Sequence, residues 1–241
     1  MVSAPVQIGV LIVGSLLWDL HEQRQQWRSA RLDVASGKRV RAPIRYGRRS
    51  RNRGNTYTMV FSNELDGAVE KLGFGIAVPC KAKVCSAQDL IEEAEALWQA
   101  ESLQASGLGT ISASWGSVAL ITNPKLPIGS DILAGWSNAV ANQDRYGDLD
   151  CAEYEEPVIT SAGLMNISWP HDVPSDWSAL LATATNPSIN EGAYPSVSEI
   201  AEAWRTKDGL PYREYFTRNR DSRIETFQDQ EIHDLLGGTT I

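Results

Sequence analysis

Cysteine is scarce in this 241-residue chain: Cys80, Cys85 and Cys151 are the only three, and no two have C-x-x-C spacing. An odd, dispersed set supports neither a disulfide framework nor a zinc ribbon, and a reducing compartment is its simplest setting, so a cytoplasmic location is expected. Histidine is equally sparse. His21, His171 and His233 stand far apart, and no local Ser-His or Cys-His arrangement is visible. Long apolar runs are missing too, since the stretch from Ile8 to Trp18 is interrupted by Gly9, Gly14 and Ser15 and no basic residue precedes it, Arg24 being the first. A membrane span needs about 20 apolar residues and a secretory signal needs a basic flank, so neither segment and no membrane partner is expected. There is no G-x-S-x-G elbow, Walker A sequence or H-E-x-x-H, and Gly73-Phe74-Gly75 lacks the third glycine of a dinucleotide loop. Glycine (19) and proline (11) are too few to mark disorder.

What remains is the composition of a globular protein. Apolar residues make up 42% and charged residues 22%, enough to bury a core, and the length fits one large domain or a domain with an appendage. Twenty-two basic residues against 30 acids leave a net charge of -8, which argues against a surface devoted to binding polyanions. The charge is uneven. Eight of the basic residues fall between Lys38 and Arg53, where there is no acid, and Asp144 to Glu156 holds six acids and one arginine. That acidic segment is either a solvated loop or a partner for the basic stretch. Asp148, Asp150 and Glu153 lack the glycine and the later glutamate of a calcium loop in register, so no metal is expected there.

Val6 to Val13 is a β-branched run that stops at Gly14-Ser15, as a strand buried on both faces would. Arg39 to Tyr46, Tyr57 to Phe61 and Phe74 to Val78 have strand composition between turn residues, and the four runs are expected to share one sheet. Ser86 with Asp89 opens a helix predicted to run to about Ala105, with Gly107 as its stop. Trp115 to Thr122 is a further strand. Pro195-Ser196-Val197-Ser198-Glu199 opens a helix closed by Asp208-Gly209, and a short helix is predicted over Asp229 to Leu236.

Three constellations bear on chemistry. On the helix from Ala87, Leu90, Ala94, Leu97 and Glu101 fall in one stripe, whereas Glu92, Glu93 and Glu95 project away from it. A carboxylate on the core side must be paired, hydrogen-bonded or facing a cavity, and burial would fit it for general-base work; the plainer alternatives are a helix frayed before Glu101 or a pairing with an arginine of the basic stretch. At Gly14-Ser15-Leu16 the buried strand breaks, where backbone N–H groups can converge on a carboxylate or oxyanion, although an ordinary turn reads the same way. In the basic stretch, Val40, Ala42, Ile44 and Tyr46 alternate with Arg39, Arg41, Pro43 and Arg45. The arginines then share a strand face that is solvated, holds substrate carboxylates, or touches nucleic acid, the last being disfavoured by the acidic surroundings.

In order, a strand ending Gly14-Ser15-Leu16-Leu17-Trp18, an arginine-rich strand, two strands of which the second holds Gly73-Phe74-Gly75-Ile76-Ala77-Val78, and a helix carrying Leu97-Trp98-Gln99-Ala100-Glu101 resemble the γ-glutamylcyclotransferase-like family. The similarity is to its glutathione-acting branch above all and spans residues 6–123. It implies an α+β fold with a mixed, β-barrel-like sheet and packed helices over residues 1–127. Residues 128–241 would be a mainly helical or irregular C-terminal extension, packed on that core as a lid, specificity element or interface. It further implies that Gly14, Ser15 and Leu16 form a substrate loop and that Glu101 is the general base. The reaction would release 5-oxoproline from a small γ-glutamyl amine or peptide without metal or cofactor. Arg45 is the expected holder of a substrate carboxylate. Val13 stands where the family signature has tyrosine, and Ala100 where the branch tends to have arginine. The alternative is a non-catalytic assembly protein whose arginine strand pairs acidic segments of a second copy.

Overall fold

The computed structural model describes residues 4–50, 56–103, 108, 116–143, 155–205 and 210–236. In chain order these form β1 (Gln7–Ile12), α1 (Glu22–Arg31), β2 (Lys38–Ala42), β3 (Ile44–Ser50), β4 (Thr56–Phe61), β5 (Gly73–Pro79), α2 (Ala87–Ser102) and β6 (Gly116–Thr122). They are followed by α3 (Ser130–Ala141), β7 (Trp177–Thr185), α4 (Val197–Arg205), α5 (Leu210–Asp221) and α6 (Asp229–Leu235). Five strands make one sheet in the order β2-β5-β1-β7-β6. β1 runs parallel to β7 and antiparallel to β5, and the outer pairs are antiparallel, so the sheet is mixed. β1, β6 and β7 are buried along almost their whole length, which is why β1 reads as a continuous apolar run and not as an alternation.

The molecule is α+β with packed helices, as expected, but the sheet is not a closed barrel. Among the described residues β2 and β6 each have one sheet neighbour, and β3 and β4 pair with each other in a separate two-stranded ribbon. Pro43 explains the split. It has no N–H to continue a ladder, so the stretch predicted as one strand breaks into β2, which pairs with β5, and β3, which pairs with β4. The Pro43 carbonyl accepts instead the N–H of Ser62 at 2.9 Å.

The boundary expected at residue 127 runs through one sheet. β7 lies between β1 and β6, and its Leu180, Leu181 and Ala182 are fully buried in the same core as Ile8, Leu97 and Trp136. Residues 128–241 thus supply an interior strand, and they cannot be an appendage laid on a finished core.

α2 begins with the expected reciprocal cap: Asp89 N–H donates to Ser86 Oγ at 3.2 Å and Ser86 N–H donates to Asp89 Oδ2 at 2.9 Å. Its stripe Leu90, Ala94 and Leu97 is fully buried, each leucine contributing roughly 2 kcal/mol of apolar burial. Glu93 departs from expectation. It is 5% exposed and ion-paired to Arg31 at 3.0 Å, because α1 lies across α2 and widens its covered face. Burial raises the Glu93 carboxyl above its usual range, with Arg31 opposing the rise. α2 ends at Ser102, and Leu103 turns left-handed at φ 57°; Ala105 and Gly107 lie outside the described residues, as do Trp115 and the pair Asp208-Gly209. Among the described residues no helix is long and apolar enough to cross a membrane.

Candidate active site

The parallel pairing of β1 with β7 sets Leu11 opposite Ala182. The loop that follows β1 therefore emerges beside Thr183 and Thr185, at the carboxyl ends of two parallel strands, the position where open sheets commonly leave a crevice. A cavity of about 310 Å³ lies there. The loop Gly14–Leu16, the last turn of α2 with Glu101, and Arg24 of α1 line one part of it; the ribbon, β7 and Tyr215 of α5 line the rest.

At the loop the chain leaves β1 as a single 3₁₀ turn, Ser15–Leu17. Gly14 has φ -175° and ψ -147°, an extended conformation open to any residue, so space and not dihedral freedom makes glycine necessary: a Cβ here would stand 2.9 Å from the Tyr215 hydroxyl. That hydroxyl also accepts the Met59 N–H at 3.4 Å. The carbonyls of Gly14 and Ser15 accept from Leu17, Trp18 and Asp19. The N–H groups of Ser15 and Leu16 donate to no group among the described residues. Arg28 pins the loop, donating to the carbonyls of Leu16 and Asp19, both at 2.6 Å. Burial lowers the Arg28 pKa, with Asp19 opposing and Arg24 adding to the shift.

Glu101 sits in the last turn of α2 with its side chain 13% exposed. The helix does not fray before it, and among the described residues its cationic neighbour comes from α1: Arg24 Nη2 is 3.6 Å from Oε2. Arg24 has closer partners, Asp19 at 2.6 Å and the Ala100 carbonyl at 3.0 Å, so it also caps carbonyls that the end of α2 leaves open. Arg24 and Arg28 are one turn apart on one face of α1. One steadies the helix that carries Glu101, the other the loop that carries Gly14.

The ribbon contributes through a bulge. Tyr46 pairs with Met59 and Arg48 with Thr58, leaving Gly47 as an extra residue. Cross-strand partners share a face, so the bulge moves Arg48 and Ser50 to the face of Thr58, away from that of the fully buried Tyr46. All three line the cavity. Arg45 does not. It is paired with Glu64 at 2.8 Å and stacked 4.3 Å over the Tyr194 ring, whose hydroxyl donates to Glu155 at 2.6 Å. Burial, with the Glu155 carboxylate adding to it, raises the Tyr194 pKa. Glu155 also accepts from Ser62 at 2.8 Å, so the described end of the acidic segment is tied to the ribbon within the chain. Arg39 is likewise occupied, with Glu225 at 2.8 Å. Arg51, Arg53, Asp148, Asp150, Cys151 and Glu153 lie outside the described residues.

The structure thus brings Glu101 and Gly14, Ser15 and Leu16 to one cavity and leaves Arg45 elsewhere. Sequence reading missed Arg24, Arg48, Thr183, Thr185 and Tyr215. A lone glycine inside a strand-like run, Gly47, is the signal that could have pointed to the bulge and so to Arg48; for the others nothing local marks the residue. Thr183 is 8% exposed and its hydroxyl has no hydrogen-bond partner among the described residues. A buried orphan hydroxyl on a cavity wall fits a wall completed by a ligand. Among the described residues no group of three or more His, Cys, Asp or Glu side chains could hold a metal ion. Compared with protein-family models, curated proteins and solved structures, the chain has no match.

Proposed function

We propose that the cavity is the active site of a cofactor-independent enzyme that releases 5-oxoproline from a γ-glutamyl amine or peptide, with Glu101 as general base. The observation that carries the reading is the meeting of Glu101 with the Gly14–Leu16 loop on one cavity, two features far apart in sequence and singled out for separate reasons. Glu101 takes a proton from the substrate α-ammonium group. The freed amine attacks its own γ-carbonyl carbon, and the resulting oxyanion is met by the Ser15 and Leu16 N–H groups, which have no other described acceptor. The bond from the γ-carbon to the amino component then breaks, that nitrogen takes the proton held by Glu101, and Glu101 passes it the second proton of the ring nitrogen, so that the lactam keeps one N–H and the amino component leaves as an ammonium ion. No water, oxidant or reductant enters the balance. Because the ring closure is intramolecular, a base, an oxyanion partner and a held conformer are the main requirements.

The assembly alternative is weaker, since Arg39 and Arg45 already have acidic partners within the chain. The test is to incubate the purified chain with a panel of γ-glutamyl amines and peptides and to follow 5-oxoproline by chromatography. Release from at least one member is expected, and intact substrates throughout would remove the reading.

A further inference from the structure

We propose that Arg24 is a positioning residue for the reaction: a guanidinium divided between the Asp19 and Glu101 carboxylates, which ties the Gly14–Leu16 loop to the end of α2 and sets how strongly Glu101 holds a proton. The inference rests on the reading of Glu101 as general base and names the residue that governs that base.

Arg24 is largely buried and stands on the cavity wall. Its Nη1 donates to Asp19 Oδ2 at 2.6 Å and its Nε to the Ala100 carbonyl at 3.0 Å. Its Nη2 donates to the Glu101 carbonyl at 3.4 Å and lies 3.6 Å from Glu101 Oε2. Asp19 in turn belongs to the loop: its N–H donates to the Ser15 carbonyl at 2.7 Å, and its own carbonyl accepts from Arg28. One planar fork therefore joins two segments far apart in sequence, which the single point charge of a lysine could not do with the same geometry. The contact with the Asp19 carboxylate is much the shorter, so the cation is only partly spent on Glu101. A carboxylate paired outright with a cation is a weak base, and one left without a cation in a sheltered place takes up its proton too readily; a shared cation holds Glu101 between these limits. The other charged or titratable groups near it are Arg28 on α1, Arg48 on the ribbon and Tyr215 on α5. They are common to all the proteins compared below, so they set the starting point and not the differences.

The test is the pH dependence of kcat/KM for 5-oxoproline release from one γ-glutamyl peptide by wild type, Arg24→Gln and Asp19→Asn. Arg24→Gln removes the cation and should move the acid limb of the profile to higher pH by about one unit. Asp19→Asn removes the competing carboxylate, leaves Arg24 to Glu101, and should move the limb to lower pH by a smaller amount. A merely structural role lowers the rate without moving the limb. A limb that stays in place in Arg24→Gln, or that moves the same way in both variants, overturns the proposal. Should Arg24→Gln not fold, Asp19→Asn decides alone: a limb moved to lower pH upholds the proposal, and one unmoved or raised overturns it. If wild type releases no 5-oxoproline, the Glu101 carboxyl is titrated by carbon-13 NMR in the same proteins, its resonance assigned by its loss in Glu101→Gln. Shifts of opposite sign in the two variants then uphold the division of Arg24 while the catalytic reading falls, and absent or like-signed shifts reject both.

Discussion

Gly14 and Tyr215 meet so closely that each constrains the other. Gly14→Ala would bring a methyl to 2.9 Å from the Tyr215 hydroxyl, an overpacking expected to cost about 1–2 kcal/mol of stability. Tyr215→Phe removes the oxygen, so the double variant should recover most of that loss, with a coupling of at least about 1 kcal/mol in a urea-denaturation cycle. Strictly additive losses would show that the two do not press on each other. The pair also indicates how far single residues were legible. Gly14 stood out at a strand break, yet its reason, a tyrosine from the other end of the chain, is tertiary. Glu101 stood out because Leu90, Ala94 and Leu97 set a stripe that it continues. Glu93 was misread by the same rule, since periodicity along α2 cannot register that α1 lies over its flank.

At the scale of elements, what hid α1 is its composition: Trp27 is its single buried residue, so there is no apolar period to find. β7 was hidden differently. Its alanines and leucines are not strand formers, and only burial between β1 and β6 makes the run a strand. Pro43 and Gly47 were plain in the sequence as letters, but whether a proline ends a strand or a glycine bulges it depends on the partner. The α1–α2 seam can be tested directly. Arg31→Ala leaves the Glu93 carboxylate buried without its cation and should cost about 2 kcal/mol in chemical denaturation at neutral pH, more than Glu93→Gln, which removes the charge instead. The reverse order would show that the pair does not govern the seam. α6 offers a second test where it meets β3. Gln228 accepts the Tyr46 N–H at 2.9 Å, and Asp229 accepts from Thr226 at 2.6 Å. Burial pushes the Asp229 carboxyl from 3.8 up to about 6, against the Thr226 and Tyr46 hydroxyls. The folded state then keeps a proton that the unfolded chain gives up, so the contribution of this group to stability falls as pH rises from about 4 to about 6. Asp229→Asn stays neutral throughout and should gain on the order of 2–3 kcal/mol over wild type between pH 3 and pH 7. A difference that does not change across that range, measured by urea midpoints, would contradict this.

For the molecule as a whole, the sheet joins the two ends of the chain. β7 closes on β1, and Tyr215 of α5 closes on the loop that β1 leaves behind, so the cavity is complete only when residues beyond 128 are in place. That dependence is why the order of motifs from 6 to 123 was enough to suggest a site but not to draw its walls. Charge follows the same pattern: the basic stretch that looked like a face for a partner spends Arg39 and Arg45 on acids of its own chain and sends Arg48 inward. The most direct measurement is the rate of 5-oxoproline release from a γ-glutamyl peptide by wild-type protein and by Glu101→Gln of matched thermal midpoint. A wild-type rate well above background, reduced about 10³-fold in the variant, is the expected result. Comparable release from both proteins, or none from either, would contradict the placing of the reaction at Glu101.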